Sequence, residues 1–383
     1  MTQISGAWLN NNETQAVFQM LKSEGFQAYV VGGSVRNSLL KEPVADVDFA
    51  TDARPDQVIK SAKKAGIRSI ATGIDHGTIT LISGSSSYEV TTFRKDVETD
   101  GRHAVVAFAD TIDTDAHRRD FTINALYADE TGQVFDPLGG LADIKTRHVR
   151  FIDDARDRIL EDRLRILRFF RFHAWFADPS IGIDAEALAA CAELADGLKG
   201  LSKERVGAEM RKLLSATDPA PSLASMEHSG VLHRVLPGAS TASVAQLVHF
   251  EGEFGIAPNW LCRLACLGGQ EQVDALRLSR ADAQKLRLYL GKIGETAGLP
   301  ELAYRNGADA AVDIYLLRAA LLGTELPQDL VAVATNAAAR VFPVKAGDIT
   351  TGETGPELGA KLRHLETEWI ASQFTKSRDV LLS

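Results

Sequence analysis

The chain has 383 residues, with 42 Lys and Arg against 51 Asp and Glu for a formal net charge of −9, and 45% hydrophobic against 24% charged residues. At about 150 residues per domain this is a globular protein of about two to three domains, and the composition excludes a disordered or collagen-like chain. No apolar run approaches the span of a bilayer. An acidic chain meets nucleic acid only through a local basic surface that works against the global charge.

The opening residues, MTQISGAWLNNNETQAVFQM, have neither a basic n-region nor an apolar core, so the expected compartment is the cytoplasm. Up to about residue 150 short β-branched runs predict strands at 28–31, 46–50, 78–82 and 88–93. Residues 79–93 read as a hairpin turning through SGSSS (83–87), and the polar stretch 96–117 reads as a mobile loop flanking one strand. From about residue 153 onward Ala/Leu/Arg-rich segments of helical period take over. Gly/Pro punctuation sets breaks near 178–179, 217–221, 252–258, 294–300 and 323–327. Cys191, Cys262 and Cys266 form no C-x-x-C pair, and CRLAC reads as helix core, so neither a disulfide nor a structural zinc is expected.

The first chemical constellation is AYVVGGSVRNSLLKEPVADVDFAT, residues 28–51. Gly32 and Gly33 let the backbone approach an anion where a helix begins, and the free N–H groups of that helix point at the same place. Arg36 adds a fork of charged donors to the same phosphates. Residues two apart share a strand face, so Asp46 and Asp48 project together, a carboxylate pair suited to magnesium. A lone Gly-Gly or D-x-D marks a turn or a strand end more often than a site; the weight lies in their conjunction, thirteen residues apart. Neither a Walker A loop nor G-x-G-x-x-G is present.

The 161–172 segment EDRLRILRFFRF reads as one helix. Leu160, Leu164, Leu167, Phe170 and Ala174 form its apolar stripe, Asp162, Arg165 and Arg168 share another arc, and Arg171 lies near the stripe. An Asp accepts and an Arg donates, so Asp162 and Arg165 can address the polar edge of a base, although an i, i+3 pair taken alone is more often an ion pair on a solvated face. From 145 to 171 nine Lys and Arg face five acids, a candidate stretch of RNA-facing surface.

In order, GGSVRN, DVDFAT, HGTITL, YEVTTFRKD, DGRH, RRDFTINAL (118–126), DPLGGLADI (136–144), EDRLRILRFFRF and LSKERV (201–206) resemble the class II tRNA nucleotidyltransferase and poly(A) polymerase family across most of the first 215 residues. The resemblance implies an α+β fold. Its parts are a polymerase-β-like nucleotidyltransferase head with a mixed sheet over 1–145, a helical neck that reads the base over 146–215, and a helical body and tail that hold tRNA over 216–383. It further implies magnesium on Asp46 and Asp48, with Glu89 as a third catalytic carboxylate. Nucleotide contacts are implied for Gly32, Gly33, Arg36, Arg119, Asp120, Asn124, Asp162, Arg165, Arg168 and Arg171.

The implied reaction is template-independent completion or repair of the 3′-terminal CCA of tRNA from CTP and ATP. The implied partner is the 3′ end and acceptor region of tRNA; no protein partner and no membrane are expected. The motifs leave open an A-adding enzyme, a poly(A) polymerase and, more remotely, a non-catalytic RNA binder. A bifunctional form with a phosphohydrolase domain is disfavoured, because no His-Asp dipeptide occurs. Where the family pattern has Asp after the motif arginine this chain has Asn37, which retains an acceptor for orienting Arg36 but no charge for a metal.

Overall fold

Alternating apolar residues build the main sheet of the computed structural model, which describes residues 2–100, 103–349 and 355–383. Its strands are β1 (Ala28–Val31), β2 (Asp48–Thr51), β3 (Arg68–Gly73), β4 (Thr78–Ser83) and β5 (Ser86–Thr92). After β6 (Arg94–Asp100) and β7 (His103–Phe108), which form a separate antiparallel ribbon, the short strands β8 (Tyr127–Ala128) and β9 (Val134–Phe135) complete it. The order is β3-β4-β5-β2-β1-β8-β9, antiparallel throughout except for the parallel pair β2–β5, so the sheet is mixed. Ile79, Leu81, Tyr88 and Val90 alternate into the core, which places Glu89 on the other face. Phe18 and Phe49 pack edge to face at 4.8 Å beneath the sheet.

The chain divides into two units: residues up to Pro237 with Asp274–Leu276, and Gly238–Val273 with Arg277–Ser383. Beyond its sheet and the β6–β7 ribbon the first unit is helical, built on the rings of Phe121, Phe151, Phe169 and Phe172. The second unit is helical throughout its described residues. A buried pair, Glu251 with Arg263, ties its helices Val244–Glu253 and Trp260–Leu267, and Asp313 accepts from Tyr289 at 2.5 Å and Asn259 at 2.7 Å. Cys262 and Cys266 lie in the interior of the second of these helices, where burial pushes both thiols up. Helices stop or start at each punctuated break; for example, one ends at Ile293 and the next begins at Leu299. No described helix is long and apolar enough to cross a membrane.

Three local expectations are corrected. Strand β2 begins at Asp48, so Asp46 lies in the segment leading into it rather than in the strand. The stretch read as a loop contains β6 and β7, paired from Arg94↔Phe108 to Asp100↔His103, and the helix Ile112–His117; residues 101–102 of that stretch fall outside the described residues. Finally, EDRLRILRFFRF is not one helix. Helix Ala155–Glu161 stops at Asp162, which is extended (φ −147°, ψ 107°), and Arg165–Phe176 starts afresh. The Asp162 carboxylate accepts the Leu164 N–H at 3.0 Å, an alternative to continuing the helix, and Leu160 is left 51% exposed, outside the stripe.

Candidate active site

Strand β1 runs into Gly32, whose φ of 71° and ψ of −115° suit glycine, and the helix Gly33–Leu40 follows with no side chain capping its start. Its first-turn N–H groups therefore remain for an anion at the mouth of a cleft of about 450 Å³. Arg36, one turn in, is 8% exposed and lies against the Phe176 ring, 4.0 Å from its centroid. It donates to Asn124 Oδ1 and, through Nε and Nη2, to Asn37 Oδ1 at 3.2 and 2.9 Å. Burial pushes its pKa down to about 10; Asp120 opposes that shift, and Arg171 and Arg168 add to it.

The acidic face comes from strand pairing. Parallel register sets Asp48 beside Glu89, and Asp46 stands just upstream. Asp48 is reached by solvent from the cleft yet walled by protein; burial first, then Glu89 and Asp46, push its carboxyl up to about 6 despite the opposing charge of Arg119. Three negative groups converge here, and a divalent cation would relieve them. Among the described residues no group of three or more His, Cys, Asp or Glu side chains closes into a metal cage. That donor set, hard oxygens and few of them, fits magnesium, which takes one or two carboxylates and completes its shell with water and substrate phosphate.

Opposite the acids stands an arginine wall. Asp115, fully buried, accepts from Arg118 Nε at 2.7 Å, Arg119 Nη2 at 2.9 Å and the Tyr127 hydroxyl at 2.8 Å. Burial would raise its pKa, but the Arg119 and Arg118 guanidiniums hold it well below the usual carboxylate range. Asp120, also buried, accepts from both Nε (2.7 Å) and Nη2 of Arg168, from Asn124 Nδ2 at 2.9 Å and from the Phe121 N–H at 2.9 Å. Against burial, Arg168 and the Asn124 amide keep it ionised far into acid. Between Asp120 and Asn124 the chain makes a 3₁₀ turn over Thr122–Asn124, which brings the two side chains together.

The far wall comes from the helix break. Asp162 receives Arg205 Nη2 at 2.7 Å, and Arg165 is anchored on the carbonyls of Arg118 (2.9 Å) and Arg158 (3.0 Å) and on Glu161 at 2.6 Å. The cleft thus gathers Gly32, Gly33, Arg36, Asp48, Arg119, Asp120, Asn124, Asp162, Arg165 and Arg168. Asp46 and Glu89, upstream of and beside Asp48, do not line it. Arg171 does not line it either: it pairs with the buried Glu209 at 2.5 Å and lies over Phe172. Sequence reasoning passed over Arg118, Arg205 and Phe172 in the lining, and Asp115 and Glu209 behind it. Asp115 was readable from its i, i+3 and i, i+4 spacing to the two arginines, and Arg205 from its place in LSKERV. Much of the 145–171 basic stretch is taken up internally, with Arg150 on Asp143, Arg156 on Glu193 and Arg168 on Asp120.

A nucleotide-transferring enzyme is the class that this fold and cleft define. Residues 28–150 match the poly A polymerase head domain family, and residues 181–242 match the family described as a probable RNA- and SrmB-binding site of polymerase A. The chain is 35% identical to CCA tRNA nucleotidyltransferase 1, mitochondrial, of Mus musculus, across 96% of its own length and 88% of that protein. It is 33% identical to the CCA-adding enzyme of Streptococcus gordonii, across 92% of each. The crystal structure of Bacillus stearothermophilus CCA-adding enzyme in complex with CTP matches with a TM-score of 0.74 at 28% identity, covering 94% of this chain and 93% of that one. The chain belongs to the family of CCA-adding tRNA nucleotidyltransferases.

Proposed function

We propose that this enzyme completes or repairs the 3′-terminal CCA of tRNA, taking nucleotides from CTP and ATP without a nucleic-acid template. The observation that carries the reading is one cleft holding an uncapped helix start, a buried arginine, an acidic strand end and an Asp–Arg wall, in a chain of this family. Gly32, Gly33 and Arg36 bind the triphosphate, with Arg119 and Asn124 along the sugar and phosphates and Arg168 held toward them by Asp120. Asp162 and Arg165, the first accepting and the second donating, select the base; Arg171 backs Arg168 through the Glu209 that both approach. Asp46 and Asp48 hold magnesium, with Glu89 as the third acidic group at their side. When bound, that ion supplies Lewis-acid activation of the primer 3′-hydroxyl and charge neutralisation at the triphosphate.

Residues 1–145 form the catalytic head, 146–215 the base-reading neck, and 216–383 the part that holds tRNA. We place the reaction in the cytoplasm, in keeping with three buried thiols that carry no disulfide. Incubation with magnesium and a tRNA lacking its last three nucleotides, with labelled CTP, ATP or both, tests the reading at single-nucleotide resolution. Growth by C, C and A that then stops is expected. A alone, a long A ladder, or no growth would move the protein to the A-adding, polymerase or non-catalytic reading in turn.

A further inference from the structure

Asn37 lies behind the cleft, between Arg36 and the segment leading into Asp46. Its Oδ1 accepts from Arg36 Nε and Nη2, and its Nδ2 donates to the Pro43 carbonyl at 2.7 Å, three residues before Asp46. Arginine has donors only, so Oδ1 must face Arg36, and the amide orientation follows from chemistry. Arg36 itself is unusual: it is buried on the Phe176 ring and forms no ion pair among the described residues. Asp120, the carboxylate that acts on it most strongly, is bonded to Arg168 and Asn124. Of its five N–H groups, the bonds to Asn37 and Asn124 occupy Nε and one on each Nη, which leaves a fork of two. A buried cation without a carboxylate partner is a receptor for an anion brought by the ligand.

We infer that Asn37 is a positioning residue for the triphosphate: as a neutral amide it aims Arg36 at the phosphates without neutralising it, and it ties that guanidinium to the segment leading into Asp46. The inference rests on the nucleotide-transfer reading of the cleft. An isosteric carboxylate at this position would share the Arg36 charge and lose the donor to Pro43.

The test is Asn37→Asp beside Asn37→Ala, read by isothermal titration of CTP, ATP and inorganic pyrophosphate in magnesium, and by kcat and KM with tRNA. N37D is expected to weaken all three ligands together, by about tenfold, with kcat within about twofold of the parent, because the lost interaction is with phosphate in the ground state. N37A, which removes acceptor and donor but adds no charge, is expected to weaken the same three by a smaller factor. A parent enzyme that adds no nucleotide defeats the functional reading. A parent that adds CCA while N37D binds all three ligands unchanged, or weakens one nucleotide alone, overturns the role of Asn37.

Discussion

Replacing Asp120 by Asn keeps the shape of the side chain and removes its charge at the point where the arginine wall is held together. The carboxylate accepts from Arg168 twice, from Asn124 and from the Phe121 N–H. An amide can still accept from Asn124 or Phe121, but its NH₂ faces the Arg168 donors. Hydrogen bonds to a charged group contribute about 1.5–3 kcal/mol, and Arg168, with 31% of its side chain exposed, recovers part of that from water, so the expected loss of stability is about 2 kcal/mol. Urea denaturation followed by circular dichroism at pH 7 measures it. The pH dependence carries a sign: the folded carboxyl titrates below its unfolded value of about 3.9, so its contribution is whole above about pH 4 and is lost as pH falls toward the folded value. The difference between parent and variant should therefore narrow below about pH 4. A D120N protein within about 0.5 kcal/mol of the parent at pH 7, or a difference that is the same at pH 7 and pH 3, would refute the assignment of that energy to an ionised Asp120.

Asp48→Asn should abolish nucleotide addition while raising the melting temperature of the metal-free protein above pH 6, since it removes a carboxylate whose folded pKa is pushed up to about 6 by burial and by its acidic neighbours; equal melting curves at pH 7.5 would contradict this. Asp115→Asn should cost about 2 kcal/mol and raise KM for CTP and ATP alike, because Arg118 and Arg119 lose their shared anchor; denaturation and steady-state kinetics check both. Arg165→Ala should lower the kcat/KM preference for CTP over UTP by about tenfold or more, measured on tRNA lacking its CCA. In the second unit, Glu251→Ala should destabilise by about 3–5 kcal/mol by removing the buried carboxylate that Arg263 donates to, and Glu251→Leu with Arg263→Leu should restore most of it; the double variant, in urea, is the informative one.

Local chemistry was the legible part of this chain. The Gly-Gly turn, the 78–92 hairpin, the inward alternation around Glu89 and the helical second half follow from side-chain period and punctuation, which neighbours along the chain decide. What escaped was decided by distant residues. Every position of EDRLRIL favours helix or tolerates it, and the break at Asp162 is shaped by Arg205, some forty residues on. The Gly-Gly motif points Arg36 at phosphate, but its burial on Phe176 depends on a helix remote in sequence. Arg171 matched the motif and points to Glu209 instead, as its place near the apolar stripe had hinted.

The parallel register of β2 and β5 decides whether the acidic face exists at all. Asp48 and Glu89 lie some forty residues apart in the chain and are joined through β3 and β4, so the acidic face depends on closing a long loop. A slip of one residue in that register would turn Glu89 into the core and Val90 toward the cleft, dismantling the face without removing a single carboxylate. The hairpin partner of β5 guards against this, since β4 presents Ile79 and Leu81 to the same interior as Tyr88 and Val90 and makes the shifted pairing bury a charge. The acidic face of this head is thus kept in register by the apolar side of the strand that carries Glu89.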